Sequence, residues 1–325
     1  MVTKEKMEHG LSDPFLSEED EARLRQIAES NERLKISVTN DYAFKTVFKN
    51  TKVLKGLLSA VLKIPEAEIK EIELPDPIIN GEYPEDKTGI LDIRVHLNRK
   101  QKINIEMQVL PFPFWEERTL FYLCRMFVEG LKHGMNYGEL EKCIHISILE
   151  YNLFEEGEYY TEIGICDLKT GRMYSDKLSL RVIQLNQLEK ATEEEKQSGI
   201  YLWGKLISAR DWEVLEMLAK ENESMEEAVK ELEKINADPK KRYEYLYREM
   251  KEWDEVTIRD YFTNQGEMKG KEEGKQEGRR EGIAEESARY SRLILKLSEA
   301  DRMSDIVKAA SNPDVLKALY QEYGI

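Results

Sequence analysis

Two short stretches hold the residues of this chain best suited to chemistry. Gly89-Ile90-Leu91-Asp92-Ile93-Arg94-Val95-His96-Leu97 alternates an apolar set, Leu91, Ile93, Val95 and Leu97, with Asp92, Arg94 and His96. Lys102-Ile103-Asn104-Ile105-Glu106-Met107-Gln108-Val109 alternates in the same way, so a strand there buries the Ile103 side and offers Glu106 and Gln108 together on the other. The polar Asn98-Arg99-Lys100-Gln101 between them predicts a turn and a hairpin. With the apolar sets on one side, Asp92 comes beside Glu106 or Gln108. Two carboxylates that close repel unless one is protonated or a cation lies between them, which makes a hard divalent metal the first chemical expectation. The plainer alternative is a pair of solvated charges on the open face of a half-buried hairpin.

The elements that must position this pair follow from periodicity. Phe44, Val47, Phe48, Leu54, Leu57, Leu58, Val61 and Leu62 predict one helix from Asp41 to Leu62, capped by Thr39 or Asn40. Residues 69–74 read as a strand, and 75–87, with Pro77, Gly81 and Pro84, as a loop. After the hairpin, Pro111-Phe112-Pro113-Phe114-Trp115 precedes a helix over 116–132 with Leu120, Leu123, Phe127 and Leu131 inward, and 143–153 alternates as a strand. The order helix, three strands, helix, strand gives a mixed α/β core. Beyond it, 159–168 and 178–188 add strands, and 193–262 is helical and rich in charge. Gly266, Gly270, Gly274, Gly278 and Gly282 then recur every four residues among balanced charges, either as a weak helix with a glycine stripe or as a polar spacer. Short helices over 283–297 and 306–323 follow, and a charged helix over 17–34 precedes the core.

Further motifs fall around the hairpin in a fixed order. Asn40-Asp41-Tyr42-Ala43-Phe44-Lys45 opens the first helix, and Asp86-Lys87 stands before Leu91-Asp92. Then come Asn104-Ile105-Glu106-Met107-Gln108, Arg118-x-x-x-Tyr122-x-x-Arg125, and Tyr137-x-x-Leu140 leading into Ile144-His145-Ile146-Ser147-Ile148-Leu149. This order resembles the Rpn family of recombination-promoting nucleases and putative transposases, in the PD-(D/E)XK nuclease superfamily, in a variant with Gln108 where Lys is usual. The resemblance covers residues 38–154 and extends loosely to 203. It implies an α/β fold with an αβββαβ core and mixed sheet, followed by a helical C-terminal region.

The implied activity is metal-dependent DNA endonuclease cleavage. Asp92 and Glu106 would hold Mg²⁺, or else Mn²⁺ or Ca²⁺, and Gln108 would position the attacking water. A neutral amide lacks the positive charge of lysine, so the substitution shifts work onto the metal. Asp41, Lys45 and Lys87 are supporting candidates. Asp41 is also favoured in a first helical turn by the helix dipole alone, and Lys45 shares its face one turn on. Arg118, Tyr122 and Arg125 share one helical side, and Arg94 and Lys102 make the hairpin end basic; all five are expected nucleic-acid contacts, with a plain surface stripe as the alternative for the first three. His96, His133 and His145 fall outside the expected site, because a lone strand histidine is more often a structural donor.

Composition narrows the rest. The 325 residues carry 49 Lys and Arg against 64 Asp and Glu, a net charge of -15, which is the wrong sign for a protein that binds nucleic acid over its whole surface. Cys124, Cys143 and Cys166 are too scattered for a zinc site or a disulfide framework. No apolar run reaches the ~18 residues of a membrane span, and the charged N-terminus is unlike a signal peptide, so a cytoplasmic protein is expected. The expected divisions are a charged arm over 1–39, the nuclease-like domain over 40–190, a helical region over 191–264, the glycine segment over 265–283 and a helical module over 284–325. Expected partners are DNA, with RNA equally open to phosphate chemistry, and a second copy of the chain, as a dimer. The competing function is a nuclease-fold scaffold of weak catalysis that assembles through its helical C-terminal half.

Overall fold

The computed structural model describes residues 16–79, 89–154 and 158–325. Asp86 and Lys87 lie outside the described residues. The chain divides after Trp253 into two compact units.

The first unit opens with α1 (Glu18–Glu29), capped by the Ser17 side chain. Leu34, Ile36 and Val38, inside the segment expected as an arm, are buried in the main core, and Arg242 reaches from a later helix to the carbonyls of Ile27 and Glu32. The single helix expected over 41–62 is two, α2 (Asp41–Phe48) and α3 (Thr51–Leu62). Asn50 is the reason: its side chain accepts the Lys52 N–H at 3.0 Å and starts a new helix, a contact that competes with helix continuation. Strands β1 (Ile72–Glu73), β2 (Ile78–Ile79), β3 (Gly89–Ile90), β4 (Ile93–Leu97) and β5 (Gln101–Gln108) follow, then α4 (Trp115–Val128), β6 (Lys142–Leu149), β7 (Tyr160–Cys166) and β8 (Met173–Gln184).

Six of these strands form one mixed sheet in the order β1-β4-β5-β6-β8-β7, while β2 and β3 pair separately. β4 and β5 are antiparallel, and β5, β6 and β8 are parallel, with α4 carrying the chain from β5 to β6. One sheet face is apolar: Val95, Ile103, Ile105, Ile144, Ile146 and Ile148 lie in the main core. There they meet α2, α3, α5 (Gly199–Ser208), α6 (Trp212–Leu218) and α7 (Glu223–Ala237). The opposite face carries Lys102, Asn104, Glu106 and Gln108 beside Cys143, His145, Ser147 and Leu149, and α4 packs over it. The helix order and strands expected around the hairpin are present, so the fold is the mixed α/β, nuclease-like one. Helix α4 differs in detail. Its buried residues are Trp115, Thr119, Tyr122, Leu123 and Met126, with Leu120 half exposed, and it ends at Val128 ahead of Gly130, whose φ is +87°.

Helix α8 (Pro239–Glu299) begins in the first unit and runs unbroken through all five repeat glycines. In the second unit its last turns pack Leu293 and Leu297 against Ala309 of α9 (Met303–Ser311) and Leu319 and Tyr320 of α10 (Pro313–Tyr323). A Cβ placed at any repeat glycine meets nothing within 4 Å among the described residues.

Candidate functional site

The β4–β5 register sets Ile93 opposite Ile105 and Arg94 opposite Asn104, and Asp92 and Glu106 come one step beyond these paired residues, near enough for the Asp92 charge to act on Glu106. The strand expected over 89–97 is interrupted there, because Leu91 and Asp92 belong to neither β3 nor β4. Leu91 leaves the apolar set of its neighbours and packs with Tyr122, Leu123 and Met126 of α4. The bend re-aims Asp92. One carboxylate oxygen accepts the Met107 N–H at 3.2 Å, and the other lies 3.3 Å from Lys45 Nζ, which is itself 2.5 Å from Asp41. Burial pushes the Asp92 carboxyl above its ordinary range, against the pull of Lys45 and with help from the Asp41 charge.

Glu106 is only 1% exposed. Its Oε1 accepts from the Asn104 amide at 3.0 Å, Arg118 Nη2 lies 3.6 Å from Oε2, and Oε2 has no hydrogen-bond partner among the described residues. Burial pushes this carboxyl up to about 7, the Asn104 hydrogen bond and the Arg118 charge opposing it and the Asp92 charge adding to it. An ionised carboxylate so placed is costly until a cation meets it. Arg118 is held by aromatic faces, its guanidinium 4.7 Å from the Phe112 ring centroid, 5.3 Å from Tyr122 and 5.7 Å from Trp115.

A second polar layer lies beside Glu106. The Asn104 amide also donates to His145 Nδ1 at 3.0 Å. An imidazole that accepts there is neutral and carries its proton on Nε2, and complete burial, with the Arg118 charge, pushes its pKa down to about 3. Ser147, aligned with Glu106 in the parallel ladder, is equally buried. Asn104 Oδ1, His145 Nε2 and Ser147 Oγ all lack hydrogen-bond partners among the described residues. Sequence reasoning passed over Asn104 and set His145 aside. Their signal was parity: each occupies the face of Glu106 in a strand whose other face is apolar beyond its first residue.

The structure thus gathers Asp92, Glu106, Asp41, Lys45 and Arg118. Gln108 ends β5 on the face of Glu106, half-buried, its carbonyl accepting from Glu150 N–H. Tyr122 is buried against Gly89 and Arg118, and Arg125, one turn further, lies over the Phe121 ring. Arg94 and Lys102 sit elsewhere, beneath the C-terminal end of α4. Lys102 Nζ donates to the carbonyls of Met126 and Glu129, and Arg94 pairs closely with the Glu129 carboxylate. Lys102 satisfies carbonyls of the helix end, and Arg94 neutralises the carboxylate beside it. An unforeseen neighbour is Glu252 of α8, which accepts the Asp41 N–H at 3.4 Å and is pushed up to about 7, chiefly by burial.

Among the described residues no group of three or more His, Cys, Asp and Glu is disposed to hold a metal ion. A pair is enough for a Mg²⁺-type site, which draws its remaining ligands from water and substrate phosphate. The unsatisfied Glu106 oxygen and the raised carboxyl of Asp92 are the features a cation would relieve.

Comparison with curated proteins and with solved structures finds no match. A family model described as PD-(D/E)XK nuclease family transposase matches residues 38–261, further along the chain than the motifs alone reached. With the fold, the Asp92–Glu106 hairpin and that match across most of its length, the chain belongs to the PD-(D/E)XK nuclease family transposases.

Proposed function

We propose that the protein is a metal-dependent endonuclease that hydrolyses phosphodiester bonds in DNA, acting in the cytoplasm. Asp92 and Glu106 are the residues that would hold Mg²⁺ or a similar hard cation. What supports the reading is a pair of desolvated carboxylates at the same end of one hairpin, Asp92 accepting the N–H of the residue after Glu106, both pushed up by burial and one with an unsatisfied oxygen. Bound there, a divalent ion supplies an acidified water and neutralises charge on the phosphate.

The chain's own groups do the rest. The Met107 N–H and the Lys45 ammonium hold the Asp92 carboxylate in one orientation, and the Asn104 amide does so for Glu106. Gln108, on the same face, orients water through its amide. Arg118, close to Glu106, offsets negative charge and can turn to a phosphate oxygen. Supercoiled plasmid incubated with the purified protein tests this: nicking with Mg²⁺, Mn²⁺ or Ca²⁺ that stops with chelator supports it, and intact plasmid under all conditions refutes it.

Assembly is the complementary reading, supported by the uncovered glycine face of α8. Each site cuts one strand, so a dimer brings the second site that a double-strand break requires.

A further inference from the structure

Just before α4 the chain runs Pro111-Phe112-Pro113-Phe114-Trp115, and of its three aromatic rings only Trp115 is buried. Phe114 is 76% exposed and Phe112 42%. Two prolines, each with a fixed φ, stiffen the turn. Phe114 itself adopts the left-handed conformation, φ 60° and ψ 39°, and flanks the helix start with no side-chain cap. Asn or Gly would relax that backbone, and Asn would also cap the helix. Conformation, capping and solvation therefore all run against a large apolar ring at this position. A large apolar residue held at such a cost is a candidate for a functional role.

The turn borders the candidate site. The Arg118 guanidinium lies 4.7 Å from the Phe112 ring and 3.6 Å from Glu106 Oε2, so one cation links the exposed aromatic to the buried carboxylate. The chain's net charge of -15 leaves little general attraction for phosphate, so contacts that do not depend on charge add to what the local cations supply. Stacking on a nucleobase is such a contact.

We propose that Phe112 and Phe114 form a stacking rim for an unpaired nucleobase beside the scissile phosphate, which makes single-stranded, gapped or frayed nucleic acid the preferred substrate. Bases inside a duplex already have both faces covered, and a ring on the protein surface gains nothing from them. An unstacked base offers its free face, and a rigid turn receives it with little loss of conformational freedom. This inference rests on the nuclease reading of Asp92 and Glu106.

The test uses full-length protein carrying Asp92→Ala to prevent cleavage, titrated into single-stranded and duplex oligonucleotides that contain 2-aminopurine. Anisotropy reports binding and 2-aminopurine quenching reports stacking. The single strand should bind more tightly and be quenched. Adding Phe114→Ala should weaken its binding about 5- to 150-fold, the range for one stacking aromatic, and leave duplex binding unchanged. Phe114→Gly suits the left-handed backbone and should lose as much, whereas Phe114→Trp should retain binding. Equal affinity for both oligonucleotides, or Ala and Gly variants that bind the single strand like their parent, would overturn the rim while leaving the nuclease reading intact. Loss of self-association in Phe114→Ala with unchanged oligonucleotide binding would assign the rim to contacts between copies and overturn it too. No binding of either oligonucleotide, together with no cleavage by the unsubstituted protein, would remove both readings.

Discussion

Glu106→Gln should stabilise the metal-free protein above neutral pH and do little in acid. The substitution keeps the shape of the side chain and an oxygen for the Asn104 amide, but removes the buried charge. The carboxyl's ordinary value is 4.5 and the fold pushes it up to about 7. The difference, 7 minus 4.5, is about 2.5, and at about 1.4 kcal/mol per pH unit it corresponds to about 3 kcal/mol. Because the raised group favours the neutral form, its contribution to stability is fully present below about 4.5 and is lost as pH rises through about 7. The variant escapes that loss. Thermal unfolding with chelator present should therefore show a Tm gain of about 6 °C at pH 8, at roughly 2 °C per kcal/mol for a unit of this size, and almost none at pH 4.5. Added divalent cation should stabilise the parent at pH 8 and the variant much less. A variant no more stable than the parent at pH 8 would show that Glu106 is not desolvated as described.

Three other outcomes follow from packing and assembly. Lys102→Met retains the apolar stem but leaves the Met126 and Glu129 carbonyls unsatisfied, and should cost about 1–2 kcal/mol in chemical denaturation; an unchanged midpoint would refute the capping role. Gly56→Ala should destabilise by about 1–3 kcal/mol although alanine is the better helix former by about 1 kcal/mol, because its Cβ would lie 2.4 Å from Ser224 Cβ where α3 meets α7; a stabilised variant would sink this contact. Cutting the chain before Gly266 should weaken self-association without unfolding the first unit, as light scattering and circular dichroism at matched concentration would show; a full-length monomer would remove the assembly reading.

The hairpin was legible because a two-residue period and a short polar turn leave few ways to pair the strands, so parity alone set Glu106 opposite the buried isoleucines. Other features depended on competition that periodicity does not weigh. Asn50 serves as a cap in the middle of a helical pattern, and an apolar count over 41–62 runs straight through it. Leu91 fits the alternation of its own strand, yet it packs in the cluster beneath α4, and the bend at that point aims Asp92. Arg94 and Lys102 read as a basic patch because sequence does not reveal that a helix ends above them. The Asn104–His145 contact joins strands 41 residues apart in the chain, and only the parallel β5–β6 register brings them together. The glycine repeat left helix and spacer open, since propensity alone disfavours a helix that the chain nevertheless forms.

The most direct measurement compares plasmid cleavage by the parent, Asp92→Ala and Glu106→Ala, each shown to be folded, with Mg²⁺ or Mn²⁺ and with chelator. The account predicts nicking by the parent that requires the metal, and its loss in both variants, because each removes one of the two carboxylates that would hold the cation. Cleavage by either variant at the parent's rate would contradict it and place the activity outside this hairpin.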